Sequence, residues 1–227
     1  MSGAWSGPDR FPVAVDAVLF GVSEGALKVL LIRRGAEPFL GRWALPGGFL
    51  RAGETLEQGV VRELAEEAGV RPDPLVQLGA FSAPGRDPRG PVLSVAFMGL
   101  VRVEDHVPHA DTDAAEAAWA TMGALPDLAF DHAEVLHAGH ARLLALTRSE
   151  PVGLNLLPEA FSLGALQALY EAILGRPLDK RNFRRKALAS DLLRDTGLTQ
   201  RGVAHRAARL YRFDAEAFAN RGAGIFL

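Results

Sequence analysis

Short apolar runs alternate with segments of helical spacing over residues 1–148. Runs rich in Val, Ile, Leu and Phe that are bounded by turn residues are typical of β-strands. A helix is predicted after Thr55, because Leu56, Val60 and Leu64 recur at i, i+4 and i+8 and form one apolar stripe. A second helix is predicted over residues 131–146. The strand-like runs cover residues 11–20, 28–32, 75–81 and 92–103. This order of strands and helices predicts an α/β sandwich.

The pattern changes at residues 149–158, where prolines, a glycine and an asparagine interrupt the helical period and predict a linker. Beyond the linker, two capped helices are predicted at residues 162–174 and 179–188. Two short strands are predicted at residues 192–194 and 208–213, on either side of an Arg-rich tip at 195–206. Helices followed by such a hairpin make a winged helix-turn-helix. The predicted regions are a flexible N-terminus (1–10), the sandwich domain (11–148), the linker (149–158) and a smaller winged-helix domain (159–227).

The charge distribution supports this division. Residues 159–227 contain 12 Lys and Arg against 7 Asp and Glu, whereas residues 1–158 contain 13 against 20, so the net charges are +5 and −7. An acidic, metal-using domain joined to a basic domain with a polyanionic partner is the simplest interpretation.

Composition excludes several classes of protein. The chain has no cysteine, which rules out disulfides and thiolate metal sites. No apolar run approaches the ~18 residues of a membrane span, and residues 1–10 lack the pattern of a signal peptide. A cytoplasmic protein without a membrane partner is expected.

The stretch from Gly48 to Val70, GFLRAGETLEQGVVRELAEEAGV, has the clearest chemical pattern. On the predicted helix, Glu63, Glu66 and Glu67 lie on one face. Like charges at this spacing repel, and a hard divalent ion such as Mg²⁺ or Mn²⁺ is their natural partner. An acidic face that is merely solvated is the alternative. The preceding Gly47-Gly48 pair, where backbone can approach a ligand, favours the ion site.

The stretch matches the Nudix box at every defining position, and the chain resembles the Nudix hydrolases. This resemblance implies metal-assisted attack of water on a nucleoside diphosphate linked to another group, such as ADP-ribose, which would give AMP and ribose 5-phosphate. The implied catalytic residues are Arg62, Glu63 and Glu67, and the implied metal ligands are Gly48 through its carbonyl, Glu63, Glu66 and Glu67. The resemblance also implies that Glu63 acts on the attacking water, either instead of holding the metal or in addition to it. Glu54 is expected to orient or salt-bridge a neighbour.

Arginines and glycines near the box are candidates for substrate binding. Arg34 ends the second strand where it could face a phosphate, although a surface arginine is just as often inert, and Gly47 leaves room for a ligand. The loop 82–90 contains Arg86 and Arg89. The loop is compatible either with a purely structural turn or with arginine hydrogen bonds to a phosphate or ribose oxygen of the substrate. The ADP-ribose branch of the family has a loop similar to this one, which favours substrate contact by Arg86.

One downstream acidic residue is expected to complete the site. Glu116, three residues before Trp119, is our candidate, and Glu104 and Asp105 compete with it. His132 lacks an H-E-x-x-H spacing and is predicted to be an ordinary packed or solvated histidine.

A second resemblance covers the C-terminal region. The segments 168–188 and 207–213 are similar to the winged-helix domain of the Nudix-related transcriptional regulators of NAD metabolism, which resemble the whole chain. The resemblance implies a homodimer that binds double-stranded DNA and releases it when a nucleotide binds. The implied DNA-binding residues are Lys180, Arg181, Asn182, Arg184, Arg185 and Arg206. A basic domain that only helps dimerisation is the alternative.

The two resemblances leave catalysis open. An intact box favours a hydrolase, whereas many of the regulators have damaged boxes and sense the nucleotide without cleaving it. The hypotheses are therefore a Mg²⁺-dependent ADP-ribose hydrolase with a DNA-binding domain, and a non-catalytic, ADP-ribose-sensing dimeric repressor. A slow enzyme that clears its own effector would satisfy both.

Overall fold

A mixed sheet organises the first part of the chain. The computed structural model describes residues 11–72, 74–106, 114–200, 202 and 207–221. Within these ranges the sheet has seven strands. Five of them are neighbours in the order β3-β2-β1-β6-β5, while β4 pairs with β1 and β7 pairs with β2. The central β1 runs antiparallel to β2 and β4 and parallel to β6. The strands are β1 (Val13–Ser23), β2 (Ala26–Arg34), β3 (Trp43–Ala44), β4 (Gly47–Phe49), β5 (Val76–Phe81), β6 (Leu93–Leu100) and β7 (Ala114–Thr121).

Helices cover both faces of this sheet. The helix α1 (Leu56–Ala68) buries Val60 and Leu64 on one face, and α2 (His132–Leu146) buries Val135 and Leu143 on the other. Alternate residues of β1 face the two helices: Val15, Ala17 and Leu19 on the α1 side, Val18 and Phe20 on the α2 side. The predicted α/β/α sandwich is confirmed.

Local sequence signals fix the ends of α1. Thr55 and Gln58 form a reciprocal capping box, and Gly69 ends the helix at a φ of 68°. Gly59 lies inside the helix, and a Cβ there would come within 2.6 Å of Leu50 Cδ1. The helix that carries the box glutamates therefore packs closely against the loop before it.

The basic C-terminal region has a core of its own. Leu166, Tyr170, Phe183 and Ala187 are buried together between the two helices and the small sheet. Its elements are β8 (Phe161–Ser162), α3 (Leu163–Leu174), α4 (Lys180–Ala189), β9 (Leu193–Thr199), β10 (Arg209–Phe213) and α5 (Ala215–Arg221), with the strand order β8-β10-β9. This arrangement confirms the predicted winged helix.

Two strands differ from the prediction. No element was predicted over β7, whose Ala-rich sequence favours a helix by propensity, but pairing with β2 overrides that preference. The first wing strand was predicted to end at residue 194, whereas β9 continues to Thr199. Its extension is stabilised by the Thr196 hydroxyl, which donates to the Leu210 carbonyl at 2.8 Å.

The segment predicted to be a linker packs against the sandwich. Val152 is buried in the cluster that contains Phe20 and Val135, and the Asn155 side chain donates to the Leu100 carbonyl at 2.9 Å. Leu169 and Ile173 of α3 belong to the same cluster. Because the adjoining residues Leu166 and Tyr170 lie in the winged-helix core, α3 is shared by two apolar cores. We propose a division into two domains around residues 149–158, with α3 as their common wall.

The substitution Ile173→Val tests this shared packing. Ile173 is 1% exposed, and loss of one methylene there should lower the free energy of unfolding by about 1 kcal/mol. Urea denaturation followed by circular dichroism measures the change. Val76→Ala, at a residue that is 43% exposed, is the control and should cost less than about 0.5 kcal/mol. Equal effects would contradict the shared packing.

No helix in the described ranges is long and apolar enough to span a bilayer.

Candidate functional site

A cleft of about 270 Å³ opens between the Gly47-Gly48 loop, the end of β2 and the loop 82–92. Its lining contains charged residues and glycines, among them Asp16, Arg34, Gly47, Gly48, Glu63 and Glu67. Three of the four predicted metal ligands (Gly48, Glu63 and Glu67) therefore lie in one cavity, together with the predicted substrate residues Arg34 and Gly47 and the unpredicted Asp16.

Two box carboxylates face the glycine loop inside this cleft. Glu67 is 7% exposed and accepts a hydrogen bond from the Gly47 backbone N–H at 2.8 Å. Burial raises the pKa of Glu67 to about 8. Burial also raises the pKa of Glu63, against the opposing effect of Arg62. A Cβ at Gly48 would lie 2.4 Å from Glu63 Oε1, so a larger residue here would displace the Glu63 carboxylate from its present position.

Arg62 connects the remaining box acids. Its guanidinium donates to Glu54 at 2.6 and 3.0 Å, to Glu63 at 2.6 Å and to Glu66 at 3.2 Å. It also donates to the Phe49 carbonyl at 3.2 Å. The hydrogen bond from Arg62, followed by that from the Arg51 backbone, lowers the pKa of Glu54 to about 2. Glu54 and Arg62 thus form the orienting ion pair that the sequence predicted for Glu54.

The donor atoms in the cleft fit a hard divalent ion, although not as a three-carboxylate site. Within the described ranges, no group of three or more His, Asp or Glu side chains converges to hold a metal by itself. Glu63 and Glu67 line the cleft, whereas the Glu66 carboxylate meets Arg51 and Arg62 and does not line it. Two carboxylates beside exposed backbone leave coordination positions for ligand phosphates and water, as Mg²⁺ sites commonly do.

Arg86 lines the cleft, but its charge is used within the protein. It donates to both oxygens of Asp131, at 2.9 and 2.7 Å, and approaches Asp16 at 3.4 Å. All three side chains are nearly buried. Asp131 lies at the start of α2, as predicted, where its side chain makes no capping hydrogen bond and pairs with Arg86. In this arrangement Arg86 ties the loop 82–92 to the start of α2.

Sequence reasoning missed the polar floor of the cleft. Asp16 accepts a hydrogen bond from the Ser94 hydroxyl and lies 3.5 Å from His132 Nε2. His132 Nδ1 accepts the Leu45 backbone N–H at 2.9 Å, and burial lowers the pKa of His132. No local signal marks Asp16, because these hydrogen-bond partners lie 70 or more residues away. His132 is a packed histidine, as predicted, but it also lines the cleft.

Arg34 lines the cleft, as the sequence predicted, whereas Glu116 lies outside it. The Arg34 guanidinium lies over the Phe130 ring at 4.8 Å and donates to the Pro38 carbonyl at 2.7 Å. Glu116 is on β7, where it faces Arg33 across the strands at 3.8 Å with a side chain that is 53% exposed. It does not line the cleft, because the strand pairing of β7 with β2 sets its position. Glu104 and Asp105 lie in a 3-10 turn outside the cleft.

Five of the six predicted DNA-binding residues lie at exposed positions of α4. Phe183 and Ala187 face the core, and the four cations predicted to bind DNA on this helix are exposed: Lys180, Arg181, Arg184 and Arg185. Asn182 Oδ1 accepts from Arg185 at 2.7 Å. A broader cleft of about 810 Å³ separates α4 from the wing, with Lys180, Arg184 and Arg209 in its lining. Arg206 lies outside the described residues.

The fold and site define a class: a Nudix-type α/β/α sandwich, with its glycine loop and glutamate helix, joined to a winged helix. Comparison with family models agrees with this class. Residues 10–139 match the NUDIX domain, and residues 153–213 match the NrtR DNA-binding winged helix domain. The chain belongs to the Nudix family, in the group that carries the NrtR winged helix.

Individual relatives match either most of the chain or about half of it. The chain is 36% identical to the ADPR responsive transcriptional repressor NtrR of Acinetobacter baylyi, over 88% of this chain and 81% of that protein. It is 46% identical to the ADP-ribose pyrophosphatase of Methanocaldococcus jannaschii, over 55% of this chain and 70% of that protein. The crystal structure of Shewanella oneidensis NrtR with a 27mer DNA superimposes with a TM-score of 0.76 and 34% identity, covering 94% and 97% of the two chains.

Proposed function

We propose that this protein is a nucleotide-responsive DNA-binding regulator whose Nudix cleft binds ADP-ribose or a related nucleoside diphosphate. The observation that carries the proposal is the cleft in which Glu63 and Glu67 face the Gly47-Gly48 backbone, in the same chain as the basic surface of α4. The printed names of the repressor and of the pyrophosphatase support the choice of ADP-ribose.

The contact between the domains supports a response to the ligand. His132 lines the cleft and begins α2, α2 contacts α3, and α3 contacts α4. Coupling between two sites needs an element with different stabilities in the liganded and free states. The packed series α2, α3 and α4 provides a continuous connection along which occupancy of the cleft would reorient the DNA-binding helix.

Hydrolysis of the bound ligand to AMP and ribose 5-phosphate is the second part of the proposal. Glu63 and Glu67 would hold Mg²⁺ together with the ligand diphosphate, and the Gly48 carbonyl is the candidate backbone ligand. The ion would lower the pKa of the attacking water and neutralise charge on the diphosphate. Arg62 would keep Glu63 aligned through its 2.6 Å hydrogen bond, while Glu54 fixes Arg62 from the other side.

A non-catalytic sensor is the alternative, and one observation favours it. Arg62 pairs with both Glu63 and Glu66, so the charge of Glu63 in the cleft is partly neutralised and Glu66 does not line the cleft. A ligand could then be bound through its diphosphate without an ion arrangement that activates water.

Phosphorus NMR of ADP-ribose incubated with the protein and Mg²⁺ distinguishes hydrolysis from non-catalytic sensing. We expect the diphosphate resonances to be replaced by those of AMP and ribose 5-phosphate, and to persist when the metal is removed by EDTA. Shifted or broadened diphosphate signals without products would establish the sensor. Unchanged signals would contradict both proposals.

The regulatory part of the proposal concerns DNA binding. We propose that a homodimer of the chain binds double-stranded DNA through α4 and the wing and releases it when ADP-ribose binds. A gel shift with genomic DNA fragments, with and without ADP-ribose, measures the release, and sedimentation measures the dimer. A protein that binds no fragment would contradict regulation and leave the Nudix proposal in place.

A further inference from the structure

Two successive residues at the start of α2 have unusual backbone conformations. Phe130 has a φ of 53°, a left-handed conformation that bulky side chains rarely adopt. Asp131, the N-cap residue of α2, has a ψ of 19°. In α1, α3 and α4 the N-cap residue is extended, with ψ values of 165°, 155° and 114°, and its side chain accepts a backbone N–H of the first turn. The start of α2 therefore departs from the usual capped form.

The side chain that would cap α2 is held at the cleft instead. Aspartate is among the best N-cap residues, yet Asp131 makes no side-chain capping hydrogen bond. Both of its carboxylate oxygens accept hydrogen bonds from Arg86, at 2.9 and 2.7 Å. The Asp131 side chain is 11% exposed and that of Arg86 is 5% exposed, so this ion pair is largely removed from water. Asp131 thus has two alternative partners, Arg86 and the first turn of its own helix.

The two unusual residues lie between a fixed segment and a helix. Ala129 is fully buried, and its N–H donates to the Trp43 carbonyl at 2.8 Å, which ties the chain to β3 just before Phe130. Immediately after Asp131, α2 begins and packs against the sheet and α3. Strained backbone of the Phe130 kind persists where the surrounding structure holds it, and it is found at switch regions. Phe130 and Asp131 therefore form the joint between a fixed segment and α2.

Arg86 lies where a bound anion would compete for it. It lines the cleft together with Glu63 and Glu67, the proposed ligands of the ion. Its guanidinium is already shared between Asp131 and, at 3.4 Å, Asp16. Arginine makes strong charge-assisted hydrogen bonds to phosphates as well as to carboxylates. A diphosphate in the cleft is therefore a competitor of Asp131 for the same guanidinium.

We infer that the ion pair between Arg86 and Asp131 holds α2 in its ligand-free position and that the bound nucleotide breaks it, an inference that rests on the proposed function. Once released from Arg86, Asp131 takes the extended backbone of an N-cap residue and caps α2, and Phe130 leaves its left-handed conformation. These changes alter the direction in which the chain enters α2. Because α2 contacts α3 and α3 contacts α4, the movement reaches the DNA-binding surface.

This device predicts opposite changes in two affinities. The held state binds DNA, and the released state binds the nucleotide. A substitution that weakens the ion pair but keeps the cap shifts the population toward the released state. By linkage, the affinity for DNA then falls while the affinity for the nucleotide rises. An ion pair that only stabilised the fold would not raise the affinity for the nucleotide when it is broken.

Asp131→Asn in the full chain tests the device, because asparagine caps helices as well as aspartate but carries no charge for Arg86. The nucleotide is α,β-methylene ADP-ribose with Mg²⁺, which water cannot cleave between the phosphates. Calorimetry measures its binding, and fluorescence anisotropy measures binding of a labelled genomic fragment that the wild type retards in the gel shift. We expect ~5-fold weaker binding of DNA and ~5-fold tighter binding of the nucleotide.

Two further variants complete the test. Arg86→Gln breaks the same ion pair, so it should weaken DNA binding as Asp131→Asn does, and the double variant should show no additional loss. Asp127→Asn is the matched control, since it makes the same chemical change at an exposed residue four positions before Asp131. It should keep both affinities of the wild type.

Each outcome decides the inference. Unchanged affinities in Asp131→Asn would overturn it, and so would a loss of both affinities, because the ion pair would then serve the fold alone. Additive losses of DNA binding in the double variant would show that the two residues act separately and would also overturn it. If the nucleotide does not release DNA from the wild type, the proposed response to the ligand fails, and this device fails with it.

Discussion

Replacing Glu67 with glutamine is expected to reduce Mg²⁺-dependent cleavage of ADP-ribose by ~10²-fold or more. The carboxylate belongs to one of the two box glutamates that line the cleft, and its loss removes a negatively charged ligand from the proposed ion. Each factor of ten corresponds to about 1.4 kcal/mol, and a catalytic metal ion contributes several kcal/mol. Glutamine keeps an oxygen that accepts the 2.8 Å hydrogen bond from Gly47, so the loop should keep its position. Release of AMP and ribose 5-phosphate under saturating substrate measures the effect.

The matched control is Glu57→Gln, which makes the same chemical change on the same helix. Glu57 lies exposed in the first turn of α1, away from the cleft, and its replacement should leave turnover within about twofold. If wild type binds ADP-ribose without cleaving it, Mg²⁺ should still strengthen binding, and Glu67→Gln should remove that dependence. Full turnover, or an undiminished Mg²⁺ dependence, in the Glu67 variant would disprove the metal assignment.

The parts of the site that sequence predicted are those encoded by local spacing. The capping box at Thr55, the Gly69 stop and the stripe of α1 fix where Glu63 and Glu67 lie on the helix. Glycines at 47 and 48 predict backbone access, and in the structure the Glu63 carboxylate lies against Gly48 while the Glu67 carboxylate accepts the Gly47 N–H. These relations involve residues at most about 20 positions apart, so a short motif contains them.

The parts that sequence did not predict depend on pairing between distant segments. Arg86 looked like a free phosphate ligand, but Asp131, 45 residues later, binds its guanidinium. Glu116 looked like a metal ligand, but β7 pairs with β2 and turns it toward Arg33. The proline-containing segment 149–158 looked like a separator, yet its apolar residue Val152 enters the sandwich core. Turn residues predict where regular structure stops, and they carry no information about what the segment packs against.

The shared helix changes what the basic surface can do. If the winged helix were tethered by a free linker, events in the cleft could not bias the orientation of α4. Leu169 and Ile173 of α3 lie in the sandwich core while Leu166 and Tyr170 lie in the winged-helix core, so the two domains cannot separate without exposing apolar surface. The effect of a ligand on DNA binding is therefore expected to depend on α3, and the affinity for DNA itself on the exposed cations of α4.

The double substitution Arg184→Ala with Arg185→Ala is expected to weaken DNA binding about 10- to 100-fold near 0.15 M salt. Both arginines are exposed on α4, on the opposite side from the buried Phe183 and Ala187. Charge-assisted hydrogen bonds to phosphates contribute about 1–2 kcal/mol each, and two lost contacts should lower the slope of log K against log salt by about 1.8. Fluorescence anisotropy of a labelled duplex across a salt series measures both quantities.

Arg142→Ala with Arg148→Ala is the matched control, because it removes the same two charges from exposed positions on or next to α2. A general effect of net charge would weaken binding equally in both double variants, and that result would contradict a DNA-binding surface on α4. Because Phe183 and Ala187 hold α4 in its core, the α4 variant should also keep the ADP-ribose affinity of wild type. A parallel loss of ADP-ribose affinity would show instead that the substitutions disturb the fold that the two domains share.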